Sequence, residues 1–400
     1  MNWDGSGWIA RNDESDMYRY RLIYLSKGIK RCQGLKWSDL GALPKEILKE
    51  RAFFGESWLT WLKVRRGSCI IIVRNINLVE VCMRTVIIGG SGHIGTYLVP
   101  MLVEAGHQVI NVSRQEREPY LSDSTWKKVE SVRIERGEAE KSGRFGYQIA
   151  ALKPDLVVDL ICFTLESATQ LVDALRGKVQ HFLHCGTIWV HGSSVLVPTT
   201  EVQPRKPFGE YGIQKAQIEV YLLDEARRGR FPVTILHPGH IVGPGWIPLN
   251  PQGNFNPEVF QKLVKGEELL LANLGLETVH HVHAEDVAQA FFKAILYWSS
   301  SVGENFHVVS PAALTLRGYA EAVAGWYEQE AKLKYLAWEQ FSQAISNDDA
   351  QATWDHIAHS PNCSIEKARK MIDYQPRYSS LQAVKEALQW KNLLQGIPVE

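Results

Sequence analysis

Three glycines spaced three apart, set between an apolar run and a helix-forming one, constrain this chain more than any other feature. The segment Thr85-Val-Ile-Ile-Gly89-Gly-Ser-Gly92-His-Ile-Gly95-Thr-Tyr-Leu predicts a buried strand, a tight turn and the opening of a helix. In such a turn the first glycine makes the bend, the second lets main chain approach a pyrophosphate, and the third lets the helix pack closely. The helix N-terminus then faces the anion. Gly89, Ser91, Gly92, His93, Ile94 and Gly95 are therefore the expected contacts of a dinucleotide.

Strand and helix patterns alternate from there. Strands are expected at 84–88, 108–112, 132–135, 156–161, 181–184 and 233–236, with helices at 94–105, near 147–152, 167–175 and 211–227 between them. Strands that are apolar throughout and separated by helices argue for a parallel sheet covered on both faces. The expected fold class is α/β, a doubly wound parallel sheet over 83–245, followed by a smaller, mostly helical cap over 246–400. Residues 278–310, with a strand at 305–309, return to the core. A Pro/Gly/Asn-rich loop at 243–257 marks the transition. Residues 1–82 read as an irregular basic extension, with 14 Lys and Arg against nine Asp and Glu. Only 44–53 and 56–64 look helical there, and Met83 stands directly before the first core strand.

Composition narrows the function. With 44 basic and 44 acidic residues the net charge is zero and the pI about 7.2, so no global electrostatic footprint for nucleic acid or an anionic membrane exists. A small-molecule substrate is the expected partner. The cysteines Cys32, Cys69, Cys82, Cys162, Cys185 and Cys363 are scattered, which suggests neither a zinc site nor a disulfide framework. The longest apolar run falls far short of the ~20 residues of a membrane helix, and the acidic N-terminus is unlike a targeting peptide, so a cytoplasmic protein is expected.

Two further segments carry chemistry. The second strand ends Val109-Ile-Asn111-Val-Ser113-Arg114, without the carboxylate that usually meets the ribose hydroxyls of NAD. Ser113 and Arg114 are suited instead to a 2′-phosphate, which makes NADP the preferred cofactor over NAD. Farther on, Thr187 follows a strand, and Tyr211-Gly-Ile-Gln-Lys215 opens a helix. A spacing of four puts Tyr and Lys on one helix face, where the ammonium is expected to lower the phenol from its usual pKa of ~10 and make Tyr211 an acid or base. Thr187 would hydrogen-bond the substrate oxygen.

Taken together, these segments resemble the extended short-chain dehydrogenase/reductases, the NAD-dependent epimerase/dehydratase family, over about residues 83–330. The Gly89–Gly95 loop, Thr187, Tyr211 with Lys215, His237-Pro-Gly-His-Ile-Val-Gly-Pro244 and Val282-His-Ala-Glu-Asp286-Val-Ala288 carry the likeness. It implies a Rossmann fold, a catalytic triad of Thr187, Tyr211 and Lys215, contact of Lys215 with the nicotinamide ribose, and a nicotinamide pocket lined by Pro238 and Gly239. A homodimer is a family expectation. The expected reaction is hydride transfer at a hydroxyl or ketone carbon of a sugar-like substrate, by a reductase or epimerase. Dehydration needs a further acid/base pair beside the triad, and no Asp-Glu pair adjoins Thr187. The competing reading is a catalytically idle dinucleotide-binding sensor or RNA-associated scaffold, against which the complete triad argues.

The chain also departs from the pattern. Ile88 stands where many members place Thr, His191 replaces a frequent Tyr, and Val279 occupies the place of the arginine that often holds a sugar nucleotide's diphosphate. His280, His281 or Arg317 could rebuild an anion clamp. His281 and His283 would share a strand face as metal ligands do, but no metal is assigned, and Glu285 or Asp286 is expected instead to cap a helix at 287–297. Trp189, Phe163, Trp246 and Phe255 are candidates for a pocket lining or for core.

Overall fold

The computed structural model describes residues 82–115 and 118–390, and, as backbone, three strands between residues 53 and 74. The chain divides into two compact units at residues 81 and 82. In the first unit β1 (Phe53–Phe54), β2 (Ser57–Lys63) and β3 (Cys69–Arg74) form an antiparallel sheet. A helix expected over 56–64 is thus replaced by strand, its Trp58-to-Arg74 and Lys63-to-Cys69 register set by the Ile-rich β3. The helix expected at 44–53 falls, except for Phe53 in β1, outside the described residues.

The second unit is built on a seven-stranded sheet whose neighbouring strands are all parallel. Its strands are β4 (Arg84–Ile88), β5 (Gln108–Ser113), β6 (Glu130–Arg133), β7 (Leu156–Asp159), β8 (His181–Cys185), β9 (Val233–Pro238) and β14 (Asn305–Val308), in the order β14-β9-β8-β7-β4-β5-β6. Within this sheet the chain enters at β4, winds outward to β6, then returns past β4 to β7, so the order reverses at β4 and opens a crevice at the carboxyl ends of the strands. Burial follows from composition: β4, β7, β8, β9 and β14 carry almost wholly apolar or hydrogen-bonded residues that lie buried. The edge strand β6 begins two residues before the expected 132–135, because its pairing with β5 runs from Ile110 opposite Glu130 to Ser113 opposite Arg133.

Helices cover both faces. On one, α1 (His93–Glu104), α7 (Ala284–Leu296) and α12 (Glu366–Ile372) enclose Ile87, Leu98, Leu183, Phe291 and Phe306. On the other, α3 (Phe145–Ala151), α4 (Leu165–Leu175) and α5 (Gly209–Arg227) enclose Val86, Val157, Phe182 and Ile235. A separate apolar core, with Phe260, Leu271, Tyr319 and Phe341, holds together the C-terminal helices α6 (Glu258–Val264), α9 (Leu316–Gly325), α10 (Trp338–Ala344), α11 (Asn347–His359) and α13 (Ser380–Trp390). The short strands β10 (His240–Val242) and β13 (His281–His283) pair in parallel. Among the described residues no helix is long and apolar enough to cross a membrane.

Candidate active site

The glycine loop joins β4 to α1 at the reversal of strand order. Gly89 sits at φ +87°, and its N–H donates to the Val112 carbonyl at 2.9 Å, which ties the loop to β5. A Cβ on Gly95 would run into the Gly90 carbonyl, so only glycine allows α1 to lie this close to the turn. No side chain caps the first turn of α1 and no acidic residue occupies it, which leaves a helix N-terminus suited to a phosphate. Ser91, His93, Ile94 and Gly95 are buried around it. His93 is stacked at 4.2 Å on Tyr120, with Trp246 tilted against it at 3.6 Å. These features fit a dinucleotide pyrophosphate.

At the end of β5, Ser113 donates to the Gln115 carbonyl at 2.9 Å and Arg114 is exposed. Register adds a second guanidinium: Arg133 of β6 stands opposite Ser113, and its Nε donates to the Arg114 carbonyl at 3.2 Å. Sequence patterns gave no sign of it, because a neighbour 20 residues away becomes visible only with the strand pairing. At the end of β7, the buried Asp159 pairs with Arg136 at 2.8 Å, and Arg136 also pairs with Glu140 at 2.6 Å.

Thr187, Tyr211 and Lys215 come together at the carboxyl ends of β7 and β8. Lys215 is 2% exposed and donates to the Cys162 and Cys185 carbonyls at 2.7 and 2.6 Å, so its ammonium bridges the loop after β7 and the end of β8. Burial lowers its pKa. Its Nζ lies 5.8 Å from the centre of the Tyr211 ring. Tyr211 contrasts with it, 41% exposed at the site mouth. Loss of solvation pushes its phenol up to about 12, and a hydrogen bond with the Thr187 side chain works the other way. The expected lowering by Lys215 does not act on the phenol: the ammonium donates its hydrogen bonds to the Cys162 and Cys185 carbonyls, and loss of solvation raises the hydroxyl even though part of the ring stays exposed. Thr187 is buried, and its Oγ1 also accepts from the Trp189 N–H at 3.3 Å. Pro238 ends β9 beside β14 and Gly239 follows it, its N–H donating to the Val308 carbonyl at 3.0 Å.

Aromatic rings flank Tyr211: Phe163 at 6.4 Å and Trp189 at 6.0 Å between centroids. Phe163, Trp246 and Phe255 are exposed, as a lining would be, whereas Trp189 is stacked at 4.1 Å on His359. Behind Trp189 a cavity of ≈ 10 Å³, bounded also by His240, Val279 and His356, has room for about one water. The residues considered for an anion clamp have other partners. His280 bonds the Ser310 carbonyl and accepts from the Cys363 N–H, His281 bonds the Leu249 carbonyl, and Arg317 pairs with Glu321. Nor does Glu285 or Asp286 cap α7. The His283 ring accepts the Glu285 N–H at 3.1 Å, which frees Asp286 to accept from the Arg377 and Tyr378 N–H groups.

Comparison with known proteins agrees with this geometry. Residues 85–308, more than half of the chain, match the NAD dependent epimerase/dehydratase family. The chain belongs to that family. Among curated relatives, 2′-dehydrokanamycin reductase of Streptomyces kanamyceticus is 33% identical over 140 residues, which is 35% of this chain and 38% of that protein. This chain thus spans well under half the length of that relative. A UDP-glucose 4-epimerase of Mycolicibacterium smegmatis is 26% identical over 269 residues, 61% of this chain and 82% of that one. Among solved structures, a UDP-glucose 4-epimerase of Thermotoga maritima superposes with a TM-score of 0.59 at 19% identity, covering 78% of this chain and 99% of that one, which shows the shared fold.

Proposed function

We propose that this chain is a nicotinamide-dependent reductase of a ketone on a sugar-like ring, with NADP as its preferred cofactor. The nicotinamide supplies the hydride. Tyr211 gives its phenolic proton to the carbonyl oxygen as that oxygen becomes an alcohol, Thr187 donates a hydrogen bond to the same oxygen, and Lys215, which ties the end of β8 to the loop after β7, would hold the nicotinamide ribose. The observation that carries this reading is the convergence of Thr187, Tyr211 and the buried Lys215 on the end of the sheet where Gly89 and Gly95 open α1. A phenol is protonated at neutral pH and can give a proton to a ketone oxygen, which is the step a reductase needs. Exposed Phe163, Trp246 and Phe255 support a ring-shaped substrate. Ser113, Arg114 and Arg133, with no Asp or Glu in residues 108–114, support the 2′-phosphate.

Calorimetric titration with NADPH and NADH, followed by NADPH oxidation with 2′-dehydrokanamycin and UDP-4-dehydroglucose as probe ketones, tests the reading. NADPH is expected to bind more tightly than NADH, and Tyr211→Phe to lower turnover by about 10²- to 10⁴-fold with nucleotide affinity unchanged. Failure to bind either nucleotide, or a Tyr211→Phe variant as active as the wild type, would overturn it.

A further inference from the structure

Thr187 has a second contact on its main-chain side. Its N–H donates to His237 Nδ1 at 3.0 Å, across 50 residues of sequence. A nitrogen that accepts carries no proton, so the ring proton of His237 belongs on Nε2. That nitrogen lies 3.3 Å from Glu219 Oε1, in a loosely aligned contact, and the imidazole is fully buried.

Glu219 is itself fixed. Arg205 meets its carboxylate with both arms of the guanidinium, at 3.0 and 2.6 Å, and Asn305 Nδ2 donates to the same Oε1. Burial alone would push this carboxyl up, but the Arg205 guanidinium, by its charge and its hydrogen bonds, works the other way and favours the carboxylate. The guanidinium in turn donates to the Glu201 and Gln203 carbonyls, 2.6 Å each. The ring can come this close only because residue 186 is glycine, where a Cβ would collide with His237 Nδ1.

One helix therefore addresses the site three times. Tyr211, Lys215 and Glu219 recur every four residues along α5. Tyr211 lies within reach of the Thr187 side chain, Lys215 holds the Cys185 carbonyl two residues before Thr187, and Glu219 reaches the Thr187 main chain through His237. We propose that His237, with its ring proton directed at Glu219, is a positioning residue that fixes the Thr187 hydroxyl relative to Tyr211 at the reacting oxygen. This inference rests on the reductase reading for the roles of Thr187 and Tyr211.

The test uses the full chain. Nitrogen NMR of histidine-labelled protein reads the tautomer without any substrate: an Nε2–H ring with Nδ1 accepting is expected for His237, identified by its loss in His237→Asn. Kinetics with the faster of the two probe ketones then separates positioning from simple packing. His237→Leu is expected to lower kcat by about 10- to 100-fold, with the dissociation constant for NADPH and the thermal midpoint little changed. His237→Asn is expected to recover most of that loss, because its carboxamide oxygen can accept the Thr187 N–H. An Nδ1–H ring, or a folded His237→Leu variant with wild-type kcat, overturns the proposal. If His237→Leu does not fold, the tautomer and the Glu219→Gln variant decide: a ring that keeps its tautomer and turnover unchanged without the carboxylate also overturns it. If the wild type turns over neither ketone, the reductase reading has failed on those probes, and the tautomer alone decides the His237 contact.

Discussion

The two halves of the site are built from different materials. At the Gly89–Gly95 loop the work is done by main chain: one positive φ, one carbonyl approached more closely than any side chain allows, and a helix N-terminus without a cap. At the Thr187 end it is done by side chains from α5, β9 and the loops after β7 and β8, most of them buried and polar. A main-chain site needs little beyond the absence of Cβ atoms and is specified locally. A buried side-chain site needs every partner at once, since each unpaired polar group removed from water costs about 1–3 kcal/mol. The Thr187 half should therefore be the more sensitive to protonation, and the glycine half to added volume.

Acid should separate them most strongly. Burial lowers the imidazoles of His191 and His280 to about 4 and those of His181 and His281 to about 3, and none of the four lies in β4, α1 or β5. In the unfolded chain each takes a proton near its ordinary value of ~6.5. The unfolded state therefore binds more protons between that value and the folded ones, and stability falls as pH drops through that window. Each contributes at most about 1.4 kcal/mol per pH unit, so the four together reach about 5 kcal/mol per unit. Against a total stability of about 5–15 kcal/mol, cooperative unfolding is expected between about pH 5 and 4. Thermal midpoints followed from pH 7 downward check this, and a fold intact at pH 3.5 would contradict it. Hydrogen exchange at pH 5 sharpens the comparison: β13 and the Ile188–His191 turn should lose protection before β4 and α1 do.

The same division decides what could be read in advance. The glycine loop and the Tyr211–Lys215 pair are written within seven and five consecutive residues, so their spacing alone announces them. The parallel core is equally plain, because apolar runs such as Leu156 to Val158 have few other uses. What stayed hidden depends on residues far apart in sequence. Thr187 and His237 are 50 positions apart, Arg205 and Glu219 14, and His191 and His307 116. The His283 cap on α7 is illegible for a different reason: an imidazole is a rare cap, and Glu285 and Asp286 are the better candidates by chemistry. In β2 the order Trp58, Leu59, Trp61, Leu62 satisfies helical spacing, and only the pairing with β3 selects the strand.

Added volume should reverse the order of sensitivity. Gly95→Ala puts a methyl group against the Gly90 carbonyl, which is main chain and cannot swing aside as a flexible side chain could. Either α1 or the turn must shift, at about 1–3 kcal/mol in the manner of an overpacked core. Nucleotide affinity should fall by more than tenfold while the probe-ketone KM, measured at saturating NADPH, changes little. Denaturant unfolding and calorimetry together check this. Gly95→Ala with wild-type affinity would mean that the loop has more freedom than its geometry shows.

The smallest expected effect lies at the rim of the glycine half, where the site changes from main chain back to side chains. Arg114 is exposed, and an exposed cation contributes modestly because water and salt screen it. Arg133 is exposed as well, but its hydrogen bond to the Arg114 carbonyl fixes where its charge sits. Two guanidinium groups held near one strand end favour a ligand with a terminal phosphate and are indifferent to one with a hydroxyl there. Arg114→Ala should therefore weaken NADPH by about three- to tenfold and leave NADH unchanged, and Arg133→Ala should do the same to a similar degree. The double variant distinguishes a shared clamp from two independent charges. If both hold one phosphate, the second substitution removes less than the first, because the anion has already lost its fixed geometry. Calorimetry at low and at high salt reads both effects, since the screened part of the preference shrinks with ionic strength. Equal losses for NADPH and NADH in either single variant would place these arginines on the adenine or the pyrophosphate instead, and with that the case for NADP over NAD would fall.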